Sequence, residues 1–279
     1  MTQMPISQMP TNQVPINQIY VFGDSLSDVG VSLRLSNGNN PPDPPYFQGR
    51  FSNGRVWVEY LAEALEVPVE QVSNAARGGA TTGLDAGRAA PGLLAQVQAF
   101  LQANPSVNAD ALYVLWAGAN DYLQGRSDTA LPVENLRTAI ASLIQAGAQR
   151  FLVGNLPNLG QLPATRLRPE SAALSQLTSA HNQNLSQTLE QLSQSSPEIQ
   201  LVLLDINTLY QEAIANSTQY GFTNVTTACL STAGICSQPN QFLFWDGIHP
   251  TTAAHRFMSE AARQAIEAAG IAAVEDQAA

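Results

Sequence analysis

The stretch Tyr20-Val21-Phe22-Gly23-Asp24-Ser25-Leu26-Ser27-Asp28-Val29-Gly30 indicates how the whole chain is organised. Its apolar start, bounded by Gly and Asp, predicts a buried first strand of a parallel sheet, because such strands are covered on both faces. Ser25 then lies just past the carboxyl end of that strand, where ligands bind in open α/β sheets. A serine in this place is a nucleophile or an N-cap of the next helix, and the local sequence alone favours the cap.

The composition narrows the classes of function. The chain has 279 residues, of which 44% are hydrophobic, and this is enough for one domain with a large core. Its net charge of -10 and its pI near 4.6 argue against a nucleic-acid partner, which requires clustered basic side chains. All 12 cationic side chains are Arg. The absence of Lys excludes Schiff-base chemistry, a Ser-Lys dyad and a phosphate-binding P-loop.

The N-terminal segment, residues 1–18, is predicted to be an extended arm. It contains three imperfect pentads with Pro at every fifth position, a spacing that prevents a helix. We expect no signal peptide, because no cationic segment precedes an apolar core, and no apolar run approaches the roughly 20 residues that span a bilayer. A disulfide between Cys229 and Cys236 would indicate a periplasmic or secreted protein, so the localisation stays open.

Strand-like and helical segments alternate along the rest of the chain. We predict strands at 19–22, 67–72, 111–116, 150–154 and 199–204, and helices at 56–64, 93–101, 131–147, 169–192 and 207–215. Such an alternation is typical of a parallel sheet with helices on both faces. The sequence therefore predicts a doubly wound α/β fold.

Two loops near the predicted strand ends carry side chains of undecided role. Tyr46, Phe47 and Phe51 follow a Pro-rich loop, where they either line an apolar pocket or simply anchor the loop. Small residues and a Gly pair at 74–82 allow close backbone approach, which exposed N–H donors need, although taken alone this segment favours an ordinary turn. Within this segment we place Arg77 on the surface.

Asp246 and His249 form the strongest candidate for an acid–base pair. Their spacing lets the carboxylate turn back onto Nδ1 of the imidazole and leaves Nε2 free to take a proton from a hydroxyl. Alone, an Asp-x-x-His pair is as often a capping or metal-binding detail. The chain has two other histidines, His181 and His255, and both lie in predicted helices where a solvated or core histidine is the default.

Taken together, these motifs resemble the GDSL-type SGNH hydrolase family. They occur in the family's order, as Gly23-Asp24-Ser25, Asn74-x-x-x-Gly78-Gly79, Gly118-x-Asn120-Asp121 and Asp246-x-x-His249. The segments 49–55 and 244–251 also look like the GDSL lipase and esterase branch. The resemblance implies a three-layer α/β/α sandwich with a five-stranded, mostly parallel, flavodoxin-like sheet. It also implies one catalytic domain at 19–270, followed by a tail at 271–279.

Carried over residue by residue, the resemblance implies a serine esterase or lipase. Ser25 matches the nucleophile, and Asp246 and His249 match the rest of a catalytic triad. The oxyanion hole would consist of the Ser25 N–H, the Gly79 N–H and the Asn120 amide, which follow different predicted strands. Acyl transfer needs such preorganised donors where negative charge develops on the substrate oxygen. The sequence lacks the Gly-x-Ser-x-Gly elbow, so an ordinary α/β-hydrolase is disfavoured.

Other activities remain open at this point. The same triad serves an acyltransferase or a phospholipase or lysophospholipase, and sequence does not separate them from simple ester hydrolysis. A different class of enzyme would use Asp24, Asp28 and Asp121 to hold Mg²⁺ for phosphate-ester hydrolysis. We favour the serine route, which needs neither metal nor organic cofactor. The expected substrate is a small-molecule or lipid ester, and the oligomeric state stays undetermined.

Overall fold

Five parallel strands form the central sheet in the computed structural model, which describes residues 15–84 and 90–271. The strands are β1 (Ile19–Gly23), β2 (Val72–Asn74), β3 (Leu112–Trp116), β4 (Arg150–Gly154) and β5 (Gln200–Leu204). Their order across the sheet is β2-β1-β3-β4-β5, and every neighbouring pair is parallel. This is the flavodoxin-like order, with its switch point between β1 and β3.

Burial on both faces explains why the central strands form. All five residues of β3 are buried, and its side chains alternate between two apolar cores. Val114 faces one core, while Tyr113 and Leu115 face the other. Tyr20 of β1 pairs with Tyr113, and their rings stack at 5.3 Å. The two central strands are thus fixed in register by packing on each face.

Helices cover both faces of the sheet and complete a three-layer α/β/α sandwich. The helices are α1 (Val31–Leu35), α2 (Trp57–Ala64), α3 (Leu93–Ala103), α4 (Ala119–Leu123), α5 (Ala130–Gln145), α6 (Ser171–Ser195), α7 (Ile206–Ala215) and α8 (Thr252–Ala268). Buried side chains of α2, α7 and α8 fill the first core, and those of α3, α5 and the second half of α6 fill the other. The predicted fold class is confirmed. None of the helices in the described ranges is long and apolar enough to cross a bilayer.

The prediction of a strand at 67–72 is wrong in its position. Residues 69–71 form a 3₁₀ turn, and the strand is the short β2 that follows it. Pro68 has no N–H to donate to a ladder, and Val69 is 83% exposed, so this part of the segment gains nothing from the sheet. The pairing begins only where Val72 lies opposite Ile19.

Short strands near the C-terminus were not predicted. They are β6 (Asn224–Ala228), β7 (Leu230–Ser231), β8 (Gly234–Ile235) and β9 (Phe242–Phe244). Strand β6 pairs with β9, and β7 pairs with β8 in a small hairpin. Cys229 and Cys236 flank this hairpin and are joined by a disulfide.

The ends of the chain belong only partly to the described ranges. Of the arm predicted at 1–18, residues 1–14 lie outside them, and Ile16 is buried in the first core. Residues 272–279 of the predicted tail also lie outside the described part of the chain, whereas Ile271 is buried against the same core.

Two of the three histidines are core residues. His181 on α6 and His255 on α8 are both fully buried. His181 Nδ1 lies 2.8 Å from the Tyr122 hydroxyl, and His255 Nδ1 accepts the Trp57 backbone N–H at 3.3 Å. Desolvation lowers the pKa of His181 to about 4 and that of His255 to about 3. Both side chains are therefore neutral in the folded protein near pH 7.

This burial predicts a specific loss of stability in acid. The ordinary histidine pKa is 6.5, so below that pH the unfolded chain takes up a proton that the folded state rejects until about pH 4 at His181. The free energy of unfolding should therefore fall as the pH falls from about 6.5 to about 4, by up to about 1.4 kcal/mol per pH unit for each histidine. In His181→Gln, whose amide can still meet the Tyr122 hydroxyl, we expect a shallower decline in urea unfolding measured across this range. Parallel curves for the two proteins would contradict the assignment.

Candidate active site

Ser25 lies at the carboxyl end of β1, in a turn that is held from both sides. A Cβ on Gly23 would lie 2.4 Å from the Trp116 carbonyl oxygen, so the chain approaches β3 closely only because this residue is glycine. The Gln96 side chain accepts the Gly23 N–H and donates to the Gly23 carbonyl, each at 2.9 Å. The turn is thereby fixed, and Ser25 itself is only 7% exposed.

The structure brings Ser25, His249 and Asp246 into one hydrogen-bonded row. His249 Nε2 lies 2.8 Å from Ser25 Oγ, across 224 positions of sequence. His249 Nδ1 lies 2.7 Å from Asp246 Oδ2. The other carboxylate oxygen, Oδ1, accepts the backbone N–H groups of Ile248 and His249 at 2.8 and 2.7 Å. The carboxylate thus fixes the turn and also orients the ring, which leaves Nε2 directed at the serine hydroxyl.

The charge on Asp246 is well stabilised. Burial pushes the pKa of this carboxyl upward, but the facing imidazole and the hydrogen bonds from His249 and Tyr46 outweigh burial and hold the pKa at about 2. Asp246 is therefore ionised throughout the neutral range. An ionised carboxylate at this distance stabilises positive charge on His249 when the ring accepts a proton.

Tyr46 is a member of the site that the sequence did not reveal as such. Its hydroxyl donates to Asp246 Oδ2 at 2.6 Å, across 200 positions of sequence. The sequence predicted an aromatic lining or a loop anchor, and neither interpretation included a bond to the carboxylate. No local pattern carries this information, because the contact depends on how two distant loops meet.

Phe51 packs against the imidazole. The two ring centroids lie 5.2 Å apart, and the Tyr46 ring meets Phe51 edge-on at 6.2 Å. The phenyl ring occupies space that a side chain at Gly78 would take, since a Cβ there would lie 2.2 Å from Phe51 Cζ. Phe47 differs from these two aromatics, because it is 37% exposed and lies beneath the Arg50 guanidinium.

The segment 49–55 clamps the loop that carries His249. The Ser52 hydroxyl donates to the Pro250 carbonyl at 2.9 Å, and Asn53 Oδ1 accepts the Thr252 N–H at 2.8 Å. The Thr252 hydroxyl donates in turn to the Arg55 carbonyl at 2.8 Å. The polar groups of this segment therefore hold the loop that carries His249 in place.

The two further residues implied as oxyanion donors follow the strands on either side of β1. Gly79 comes after β2, is exposed, and has a φ of +79° that favours glycine. Asn120 comes after β3, and its Nδ2 donates one hydrogen bond to the Ala80 carbonyl at 2.9 Å. Within the described part of the chain, the backbone N–H groups of Ser25 and Gly79 have no hydrogen-bond partner.

The three carboxylates considered for Mg²⁺ each bind groups of the protein. Asp28 accepts the N–H groups of Gly30, Val31, Ser32 and Gly78, and it thereby ties α1 to the loop that carries Gly79. Asp121 accepts the N–H and hydroxyl of Thr82, both at 2.9 Å. Asp24 accepts the Leu26 N–H, and burial raises its pKa to about 7. No three acidic, His or Cys side chains in the described ranges group so as to hold a metal ion.

Arg77 is less exposed than expected. Its Nε is buried and has no hydrogen-bond partner among the described residues. Desolvation lowers the pKa of this guanidinium, and the nearby Arg34 adds to the effect, whereas Asp28 opposes it. The side chain is therefore half-buried and does not lie on the open surface.

A cavity of about 600 Å³ lies beside the segment that follows Gly79 and beside α4, the helix that contains Asn120. Thr81, Leu84, Gln124, Arg126 and Asn135 are among the residues that line it. Its lining does not include Ser25 or His249. The hydrogen-bonded row of Ser25, His249 and Asp246 therefore lies outside this cavity.

Comparison with known proteins shows which family this chain resembles. The GDSL-like lipase/acylhydrolase family matches residues 19–262. The phosphatidylcholine-sterol acyltransferase of Aeromonas hydrophila is 31% identical over 306 residues, which cover 89% of this chain and 90% of that protein. The GDSL esterase/lipase APG of Arabidopsis thaliana is 28% identical and covers 87% and 89% of the two chains.

Solved structures agree in fold. A member of the lipolytic G-D-S-L family from Veillonella parvula superposes with a TM-score of 0.54 at 18% identity, over 90% of this chain and 98% of that one. The aryl esterase of M. smegmatis gives a TM-score of 0.53 at 18% identity, over 89% and 97%. With the family match across nearly all of the described chain, we conclude that this protein belongs to the GDSL-like lipase/acylhydrolase family.

Proposed function

We propose that the protein hydrolyses carboxylic acid esters through a covalent acyl-enzyme on Ser25. The observation that carries the proposal is the hydrogen-bonded row from Asp246 Oδ2 through the His249 ring to Ser25 Oγ, with distances of 2.7 and 2.8 Å. A hydroxyl, an imidazole and a half-buried carboxylate in this geometry are the components of nucleophilic acyl transfer. Membership of a lipase and acylhydrolase family supports the same conclusion.

The proposed reaction has two half-reactions. Ser25 Oγ attacks the carbonyl carbon of the ester while its proton passes to His249 Nε2, and the substrate oxygen becomes negatively charged. His249 then gives this proton to the leaving alcohol as the ester bond breaks, which leaves the acyl group on Ser25. A water molecule repeats the sequence, losing its proton to His249 and releasing the acid and the free serine. Asp246 keeps the ring oriented and stabilises its positive charge in both halves.

The oxyanion is assigned to three donors from adjacent strand ends. In the sheet order, β1 lies between β2 and β3, so Ser25 has the Gly79 loop on one side and Asn120 on the other. The Ser25 and Gly79 N–H groups have no partner in the described ranges, and the Asn120 amide uses one of its two N–H groups on Ala80. The available donors support this assignment, since an oxyanion hole works through N–H groups that are already in place.

Acyl transfer to an alcohol is the second candidate, because the relative from Aeromonas hydrophila is named a phosphatidylcholine-sterol acyltransferase. In that reaction the acceptor hydroxyl replaces water in the second half, and every residue keeps its role. Incubation with an aryl ester and a primary alcohol, followed by quantification of free acid and new ester, distinguishes the two activities. A metal-dependent phosphoesterase receives no support, since Asp24, Asp28 and Asp121 are engaged with the protein's own donors.

Ser25→Ala should abolish turnover of an aryl ester, because the acyl-enzyme cannot form without Oγ. We expect a fall of about 10⁴-fold or more, measured by release of the phenol. Labelling by a fluorophosphonate, with peptide mapping to Ser25, should be lost in the same variant. Ser36→Ala is the control, since Ser36 makes only local bonds at the end of α1. Full turnover by Ser25→Ala would refute the proposal.

Asn120→Ala should lower kcat by about 10²- to 10³-fold, the usual cost of one missing oxyanion donor. Asn184→Ala is a matched control. Asn184 lies on α6, and its side-chain amide also donates a hydrogen bond, to Thr129 Oγ1 at 2.8 Å. Thermal melting should show that both variants remain folded. A kcat within twofold of the parent for Asn120→Ala would remove Asn120 from the oxyanion hole.

A further inference from the structure

We propose that Tyr46 is a positioning residue of the active site, whose hydroxyl holds the Asp246 carboxylate and thereby sets how strongly His249 retains a proton. The inference rests on the proposed function, because it concerns the same triad. It adds a fourth member that stands on a distant loop and does not touch the reacting atoms.

The geometry around the carboxylate distinguishes Tyr46 from the other donors. Oδ1 is occupied by the N–H groups of Ile248 and His249, and Oδ2 is shared between His249 Nδ1 and the Tyr46 hydroxyl. Three of these four bonds come from the 246–249 turn itself. In the described part of the chain, Tyr46 is the only donor to this carboxylate from outside that turn. Tyr46 therefore links the Asp246 carboxylate directly to a distant loop, in addition to the backbone bonds that hold the turn.

The phenol ring is itself held in place. Its edge meets Phe51 at 6.2 Å and Trp245 at 6.4 Å between ring centroids. The Tyr46 backbone N–H donates to the Pro42 carbonyl at 3.1 Å. The hydroxyl therefore reaches Oδ2 from a rigid support, and little conformational freedom is lost when the bond forms.

The hydroxyl remains a donor across the working range of pH. Burial raises the pKa of Tyr46, and the charge of Asp246 raises it further, so the phenol stays protonated. A hydrogen bond to a charged carboxylate is short and strong, and it withdraws negative charge from the oxygen that faces His249. Without this hydrogen bond, more negative charge stays on Asp246 Oδ2, and the carboxylate stabilises a protonated His249 ring more strongly. Besides Asp246, the titratable groups with an electrostatic interaction with the His249 imidazole are Asp24 and His255, and both are buried.

The first test is Tyr46→Phe, which keeps the ring and removes only the hydroxyl. We expect kcat for an aryl ester to fall about 3- to 10-fold, with KM within about twofold, because orientation is lost and substrate binding is not. The acidic limb of the kcat/KM profile should move to higher pH by about half a unit, since the freed carboxylate holds the proton on His249 more strongly. A purely structural role would lower the rate and leave this limb in place, and that outcome would overturn the proposal.

Tyr220→Phe is a matched control. Tyr220 also donates its hydroxyl to a carboxylate, that of Glu212, at 3.3 Å and away from the site. We expect an unchanged rate and an unchanged pH profile for this variant. An equal shift in both variants would mean that the effect does not come from Asp246, and the proposal would fail.

A double variant tests whether Tyr46 acts through the Asp246 carboxylate. On an Asp246→Asn background, adding Tyr46→Phe should leave the acidic limb where the single variant has it, because no charge remains to be modulated. A further shift of the same size would contradict the inference. The comparison uses two single variants and their double, so a general loss of stability appears equally on both backgrounds and cancels.

Fluorophosphonate labelling separates this proposal from the proposed function. If the parent protein is not labelled at Ser25, the function itself is wrong. If the parent is labelled and Tyr46→Phe reacts at the same rate at every pH, the function stands and only the role of Tyr46 fails. A slower reaction with its acidic limb moved upward supports both.

Discussion

The hydrogen bond between His249 Nε2 and Ser25 Oγ joins the two ends of the described fold, and the arrangement of the remaining elements makes it possible. Ser25 is fixed by the sheet, since β1 is central and its last residue is bound sideways by Gln96. His249 lies in the 246–249 turn, which is outside the central sheet. A distance of 2.8 Å between these two groups requires that the turn be tied to the sheet layer by other means. The segment 49–55 supplies that tie through Ser52, Asn53 and Arg55.

The site therefore has two kinds of support. The proposed nucleophile and the proposed oxyanion donors follow neighbouring strand ends, so their spacing follows from the regular separation of parallel strands. The acid–base pair stands on irregular backbone, and its position depends on individual hydrogen bonds and on aromatic contacts with Tyr46 and Phe51. A change in the second group of contacts is expected to affect proton transfer before it affects the fold. Gly78 connects the two supports, because its missing side chain leaves the space that Phe51 occupies.

The sequence predicted the architecture because strands and helices have local causes, whereas the grouping of Ser25, His249 and Asp246 came from the resemblance to the GDSL family. Long apolar runs and helical spacing identify the central strands and most helices, and the polar motifs follow strand ends at short range. The 67–72 strand was misplaced because Val69 is exposed and Pro68 cannot donate to a ladder, and the exposure of Val69 is a property of the folded chain. The short strands β6 to β9 were missed because most of their residues are half-buried or exposed, so they lack the continuous apolar run that marks the central strands. Tyr46 escaped for a different reason, since its role depends on a contact across 200 residues.

The wide separation of the serine and its base along the chain also bears on biosynthesis. During translation, the segment with Ser25 is synthesised long before residue 249 is added. The Ser25 hydroxyl of the nascent chain therefore has no imidazole partner from His249. Its proposed base, His249, is added near the end of the described chain, and the hydrogen bonds of Ser52 and Asn53 cannot form until Pro250 and Thr252 are present. In the proposed mechanism, the serine therefore gains its base only after the residues up to the His249 loop have been added.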